Sequence, residues 1–416
     1  MTPLNPFKIG PFNLGVNNRL PDNHMEVPKV GTFLRSAVNV DLSDPGTVKR
    51  REGFTLSAPG GDCHSIYSAG DAAYVVDGTA LYALSGPPSS LVKTPVRTGM
   101  APGQRLSFTQ VNGLTVYTDG ASVRSLSGAL DAALGVPMMN PEPRVVAAAG
   151  DLPSGRYQVC FTYFNDQFQQ SGSTTPVAVS GTGIEITGLP AAFPDGVTGV
   201  MVYMTAVNGD LLQLAEVLSV PQAGLSITAP PELTVPCQTL LMRPMPGGSI
   251  VRHSDGRLLV ASGSRLYFSE PFSNLHDPSK NFIPLDADIT MVEPLSSGVF
   301  VATGQDTFHI AGDITQATFS SVLPYGAVMG TSGSAPDKKR CWWMSPMGLV
   351  YGDESGGVRN VQQDAVAIGQ AGLGASLFRE QDGQKHVVTS LFGTEPTSAA
   401  AYSYMQAEII RKETIL

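Results

Sequence analysis

Few side chains in this 416-residue sequence stand at spacings that chemistry requires. Asp286 and Asp288, in LDADIT, share a face if that stretch is a strand, an arrangement that holds calcium or simply lines a solvated edge. Trp342 and Trp343 offer rings for stacking on a sugar or a base. As strand neighbours they face opposite ways, so one at most is free for that work and core packing is the alternative. Lys49, Arg50 and Arg51 form the only basic triplet between Met1 and Arg252. It reads either as a solvated turn flank or as a contact to phosphate or to a partner. The cysteines, Cys63, Cys160, Cys237 and Cys341, contain no CxxC pair, and His24, His64, His253, His276, His309 and His386 never join them at ligand spacing. Cys63 and His64 are adjacent, but neighbours on a strand point to opposite faces and do not share a metal. Reduced, mostly buried thiols are expected. A nucleophile elbow, a P-loop, a dinucleotide fingerprint and HExxH are all missing from the sequence, so no catalytic residue, no cofactor and no metal is expected.

Composition narrows the classes further. The net charge is -9 and only 15% of residues are charged. That balance argues against a protein whose main work is gripping nucleic acid, which needs a positive surface to displace counterions, but it leaves open a wall past which DNA slides. The N-terminal MTPLNPFKIGPFNLG lacks a basic start and an apolar core, so no secretory signal is expected, and no apolar run is long enough to span a bilayer. With 45 glycines and 32 prolines the chain is rich in turns.

The elements that would carry these residues repeat. Ser249 to Gly312 contains two copies of one pattern, offset by about 42 residues: alternating strand, glycine turn at Gly256 or Gly298, strand, turn at Gly263 or Gly304, strand. The same unit runs from Ser65 to Leu84 and from Ser107 to Leu126, again about 42 residues apart, and fits more loosely at Arg340 to Val361 and Phe378 to Ala401. Hairpin units of this length are the blades of a β-propeller. Between the second and third units the pattern stops. Roughly 142 to 236 holds about six short strands, among them Tyr157, Val159, Phe161 and Tyr163 alternating with Gln158, Cys160 and Thr162. Lacking a tryptophan and an immunoglobulin-type cysteine pair, this stretch is expected to be a fibronectin-III-like sandwich.

The expected fold is therefore all-β: a propeller of about six blades interrupted by an inserted fibronectin-III/Ig-like β-sandwich, with a short C-terminal helix. The divisions are an extended N-terminal arm (1–55), a first propeller part (56–141), the sandwich (142–236), a second propeller part (237–397) and a helical tail (398–416). In the arm, Ser43-Asp44-Pro45-Gly46 is a turn between a strand on Val38, Val40 and Leu42 and a return strand over Val48 to Phe54. In the tail, Tyr402, Met405 and Ile409 form a helical stripe.

Several stretches together resemble a known family. GPFNLGVNNRL followed by AVNVDLSDPGTVKRREGFT is similar to the opening of bacteriophage tail-nozzle proteins, also called tail tubular protein B, and of related packaged-DNA stabilisation proteins. The matching positions are Asn39, Gly46, Arg50, Arg51, Gly53 and Phe54, and Glu52 stands where proline is common in that family. SGRYQVCFTYFNDQFQQSGSTTP and VMVYMTAVNGDLLQLAEV resemble the family's inserted sandwich, and RLYFSEPFSNLHDP with TFHIAGDI its downstream propeller. The resemblance implies a non-enzymatic virion protein made in the host cytoplasm. It implies a ring, usually a homohexamer, that meets the portal, adaptor or other tail proteins and passes genomic DNA through its lumen without reading sequence. Lys49, Arg50 and Arg51 would then face DNA or a partner. The alternative from a different class is a glycan-binding or glycan-cleaving propeller engaging the host surface, using Trp342 or Trp343. His253-Ser254-Asp255-Gly256 matches the sialidase-propeller turn only briefly and lacks its tryptophan.

Overall fold

A computed structural model describes residues 10–393, except 39, 43–45, 52, 54, 317, 367–370 and 382–383, together with 406–407. The described chain is all-β: apart from a three-residue helical turn at Asp22–His24, its regular elements are strands. Five four-stranded antiparallel sheets, their strands paired in chain order, form propeller-type blades among the described residues. Blade I is Cys63–Ala69, Ala72–Asp77, Ala80–Ser85 and Val92–Arg97, and blade II is Ser107–Val111, Leu114–Thr118, Val123–Ser127 and Leu130–Ala133. Blade III is Ile250–Ser254, Arg257–Ser262, Arg265–Phe268 and Phe282–Pro284. Blade IV is Ile289–Leu295, Gly298–Thr303, Thr307–Ala311 and Thr318–Leu323, and blade V is Gly333–Ser334, Arg340–Ser345, Gly348–Asp353 and Val358–Asn360. A three-stranded sheet, Ala371–Gln381, Gln384–Gly393 and Gln406–Ala407, takes the sixth place in sequence.

The turns explain why these stretches become hairpins. Asn112 and Gly113 (φ 49° and 83°) and Asp255 and Gly256 (φ 47° and 73°) are left-handed pairs of the kind that match strand twist in a two-residue hairpin. Gly298 differs from its sequence reading: the turn falls on Ser296 and Ser297, and Gly298 opens the next strand. It is glycine for space, since a Cβ there would lie 2.5 Å from the Ile310 carbonyl oxygen and 2.7 Å from His309 Nε2.

The chain divides into two compact units. One, 60–85 with 92–284, holds blades I to III and the sandwich. Blade II packs on blade I through Tyr74, Val76, Leu81, Phe108, Tyr117 and Leu126, and on blade III through Val116, Val123, Val251, Leu258 and Val260. Matching hydroxyls stitch the blades: Ser65 Oγ accepts the Leu106 N–H at 3.0 Å, and Ser107 Oγ accepts the Val251 N–H at 3.1 Å. Thr118 Oγ1 accepts the Gly248 N–H at 3.1 Å and lies 3.0 Å from the carbonyl oxygens of both Ser122 and Gly248. Blades II and III are thus direct neighbours although the sandwich separates them in sequence. Asn274 holds both ends of that insertion. Its Nδ2 donates to the Leu134 carbonyl at 3.1 Å, and its own carbonyl accepts the Met245 N–H at 3.0 Å. Gly135 (φ 81°) is needed beside it, because a Cβ would land 1.8 Å from Asn274 Nδ2.

The insert is a two-sheet sandwich of seven strands. Arg144–Ala148, Gly183–Thr187 and Gly224–Ile227 form one sheet, and Val177–Gly181, Gly155–Phe164, Gly199–Met204 and Gln213–Leu218 the other. Its first two strands lie in opposite sheets, whereas immunoglobulin-type sandwiches keep their first two in one sheet. Tyr157, Val159, Phe161, Tyr163, Val200, Val202 and Met204 face the inter-sheet core. The other face of the larger sheet is buried as well, by a second cluster of Cys160, Phe164, Met201, Tyr203 and Leu212, with Leu214 and Cys237 packed against it. The sequence division at 236/237 therefore falls inside the sandwich: Cys237 donates its N–H to Leu212 and Ser173 its N–H to Thr239.

The other unit, 1–59, 86–91 and 285–416, holds blades IV and V, the last sheet and the arm. Blade IV meets blade V through Phe300, Ala302, Cys341, Trp343 and Val350, and Ser332 Oγ donates to buried Glu293 at 2.8 Å. The described part of the arm is tied down by backbone bonds, including Phe12 N–H to Gly46 and Asn18 N–H to Ala365. The expected arm hairpin exists as Val40–Leu42 against Val48–Arg50. Ser43, Asp44 and Pro45 of its turn lie outside the described residues. So does the expected C-terminal helix, apart from Gln406 and Ala407, which are extended and pair with Ser390 and Thr389.

Replacing Thr118 by Val keeps shape and removes the hydroxyl between blades II and III. A buried Gly248 N–H is then unsatisfied, a loss of roughly 1–3 kcal/mol. The expected outcome is a lower urea midpoint at unchanged slope.

Candidate functional site

The basic triplet does not form one patch. Val48–Arg50 is exposed along its length, and successive side chains of a strand point to opposite faces, so Lys49 and Arg50 diverge. Arg51 is engaged locally: its Nε and Nη2 both lie 2.9 Å from Asp41 Oδ1, and only 16% of its side chain is exposed. Register explains this, since Asp41 pairs with Lys49 across the hairpin and Arg51 reaches back over the same edge.

The residues of the glycan alternative are inside. Trp343 is fully buried, its ring 5.6 Å from that of Phe300, and Trp342 is buried and stacks on Phe378, also at 5.6 Å. Neither offers a face to a sugar. Asp286 and Asp288 are exposed, but they precede the Ile289–Leu295 strand on an irregular bend, so the shared strand face does not exist. Among the described residues no three His, Cys, Asp or Glu side chains converge as a metal set. Cys160 and Cys341 are buried as expected; Cys63 is exposed and Cys237 half-buried, and all are free thiols.

A partly buried charged cluster, missed in sequence, joins blades I and II. Arg97 Nη1 donates to Asp119 Oδ2 at 2.8 Å and to Tyr117 Oη at 3.1 Å. Tyr117 donates to Asp131 Oδ1 at 2.9 Å, and Arg124 grips Asp131 with two nitrogens at 2.8–3.1 Å. Asp119 also accepts the N–H groups of Ala121 and Ser122 at 3.0 and 2.7 Å. Burial opposes the ionised Asp119, and Arg97 with those two N–H groups outweighs it, holding the carboxyl below its ordinary range. Burial also pushes the Tyr117 hydroxyl up, so it stays a proton donor. Every strong group here has a partner, and the arrangement clamps blades together; it contains no unengaged base or nucleophile.

These blades define the class: an all-β chain of propeller-type sheets carrying a sandwich. The chain matches no protein-family profile and no curated protein. Among solved structures it is similar to the Pan2 WD40 domain of Neurospora crassa, at 11% identity and a TM-score of 0.35, over 79% of this chain and 86% of that one. It is also similar to a functionally unknown protein of Desulfotomaculum acetoxidans, at 12% identity and a TM-score of 0.31, over 73% and 87%. A third is AztD of Citrobacter koseri, at 12% identity and a TM-score of 0.26, over 73% and 87%. The likeness is distant in each case, and the blades are defined by this chain's own strand order.

Replacing Asp119 by Ala removes a partner of half-buried Arg97 and the acceptor for the Ala121 and Ser122 N–H groups, at an expected cost of roughly 1–3 kcal/mol, seen as a fall in thermal midpoint; a change within error excludes the clamp. Acid should act in two stages. Burial holds His276 and His309 below their ordinary value, so the unfolded chain binds their protons first and stability falls as pH drops below about 6.5. The ionised Asp119 contributes stability that is lost only at lower pH, as its depressed folded value is crossed. Thermal midpoints measured from pH 8 to pH 3 would show both stages.

Proposed function

We propose that this chain is a structural virion protein of a bacteriophage tail, a nozzle or head-to-tail conduit subunit. It assembles with copies of itself into a ring of about six, meets the portal, adaptor or another tail protein, retains packaged DNA and lets it pass during ejection. It is made in the host cytoplasm and works in the virion, without catalysis.

The observation that carries this reading is the resemblance spread along the chain, joined to the way its parts fold. The two N-terminal stretches that carry the resemblance, GPFNLGVNNRL and AVNVDLSDPGTVKRREGFT, bond to each other in the arm through Phe12 N–H on Gly46 at 2.9 Å. The sandwich interrupts the blades in sequence while blades II and III keep their hydroxyl and apolar contacts. A net charge of -9 suits a wall past which DNA slides.

Native mass spectrometry of the purified chain, alone and with a portal ring, tests the proposal. Closed rings or a stoichiometric complex with the portal are expected; a strict monomer in both samples overturns it. Within assembled particles, the pair Lys49→Ala and Arg50→Ala should alter genome retention. Arg51→Ala should instead loosen the hairpin by freeing Asp41. Unchanged retention at normal assembly removes Lys49 and Arg50 from any DNA-facing role.

A further inference from the structure

Cys160 and Cys237 are 77 positions apart in sequence and meet on one face of the sandwich. Cys160 lies mid-strand in Gly155–Phe164, opposite Tyr203 of the next strand, and is fully buried. Cys237 arrives from the segment that follows the last sandwich strand. That segment first pairs along Gln213–Leu218, with the Leu214 N–H on Val235 at 2.8 Å and the Cys237 N–H on Leu212 at 2.9 Å. It then turns across the face, where Ser173 donates its N–H to Thr239 at 3.0 Å and Leu241 donates to Ser173 Oγ at 2.8 Å. Ser173 is itself fixed beside Cys160, because the next residue, Thr174, donates its N–H to Phe161 at 2.9 Å. Two independent backbone routes thus bring Cys237 to the sheet face that holds Cys160, where its side chain packs against the same apolar cluster.

We infer that Cys160 and Cys237 are an oxidisable dithiol site: a low-molecular-weight disulfide converts the pair into an internal disulfide that fastens the segment around Cys237 over the outer sheet face. The order of events follows from access. Cys237 is half-buried and Cys160 is not exposed at all, so Cys237 meets the oxidant. Its thiolate attacks one sulfur of the oxidant RSSR, forming a mixed disulfide and releasing RS⁻, which takes up the proton Cys237 lost. Cys160 then gives up its proton and attacks Cys237 Sγ, forming the Cys160–Cys237 bond and releasing the second thiol. Two protein thiols are oxidised and one RSSR is reduced to two RSH. The local chemistry supports this order: the neighbouring Cys160 thiol and the Thr239 backbone N–H lower the Cys237 thiol, while the neighbouring Cys237 and burial push Cys160 well up. Cys160 is then the internal partner that resolves the mixed disulfide.

The test uses the full chain carrying Cys63→Ser, because exposed Cys63 would react with any disulfide. Incubated folded with oxidised glutathione, this parent should lose two hydrogens by intact mass without retaining glutathione. Non-reducing digestion should then give one linked peptide pair containing Cys160 and Cys237, and the thermal midpoint should rise by on the order of 5–10 °C and fall back with dithiothreitol. Adding Cys160→Ser should trap one glutathione on Cys237, and Cys237→Ser should leave the folded chain unreactive. A parent that keeps glutathione on Cys237, or that reacts only after unfolding in urea, overturns the inference. If Cys160→Ser does not fold, the parent's mass and peptide map decide alone.

Discussion

Blade II against blade III is the contact on which the rest of this chain depends. A four-stranded sheet buries its two faces only when neighbouring sheets cover them, so a propeller-type chain is stable through its blade-to-blade contacts rather than through any blade alone. Here that contact has to form between segments more than a hundred residues apart, from Thr118 to Gly248 and from Ser107 to Val251. The Thr118 hydroxyl and the Ser107 hydroxyl each supply a partner to a backbone group that the next blade leaves unpaired. Apolar packing by Val116, Val123, Val251 and Val260 excludes water around them. A loop-closure penalty for so long an insertion grows only slowly with length, which is why the joint survives it.

The sandwich solves a different problem. Its larger sheet is buried on both faces, so alternation along Gly155–Phe164 distinguishes two apolar environments rather than inside from outside. Tyr157, Val159 and Phe161 serve the inter-sheet core, while Cys160 and Phe164 serve a thinner layer roofed by chain without strand structure. That second layer is held by backbone bonds through Ser173, Thr239 and Leu241, which makes it a local and separable part of the stability.

Much of this was legible in the sequence, and what was not has one physical cause. Hairpins are local: Asn112-Gly113 and Asp255-Gly256 declare their turns, and period-two runs around them declare the strands. The repeat then gives the blades, and its interruption gives the insert. Pairing between distant strands carries no such local mark. The Arg97–Asp119 pair looks like scattered charges until blades I and II are stacked. Arg51 looks like one third of a basic patch until the hairpin register places Asp41 beneath it. Strand geometry limits Trp342 and Trp343 to one exposed ring; coverage of both faces of blade V is a tertiary fact, and it buries both. Cys160 and Cys237 are a case of the same kind, since only the path of the chain after the seventh sandwich strand brings them together.

Asn274 gives the architecture a further property. Because one side chain and its own carbonyl hold Leu134 and Met245, the exit and return points of the insertion are set by blade III and not by what lies between them. The sandwich is in this sense a cassette in a fixed socket. Lineages carrying this scaffold would be free to exchange the module for another whose ends fit the same gap, and an engineer could graft a foreign domain between Leu134 and Met245 without redesigning the blades.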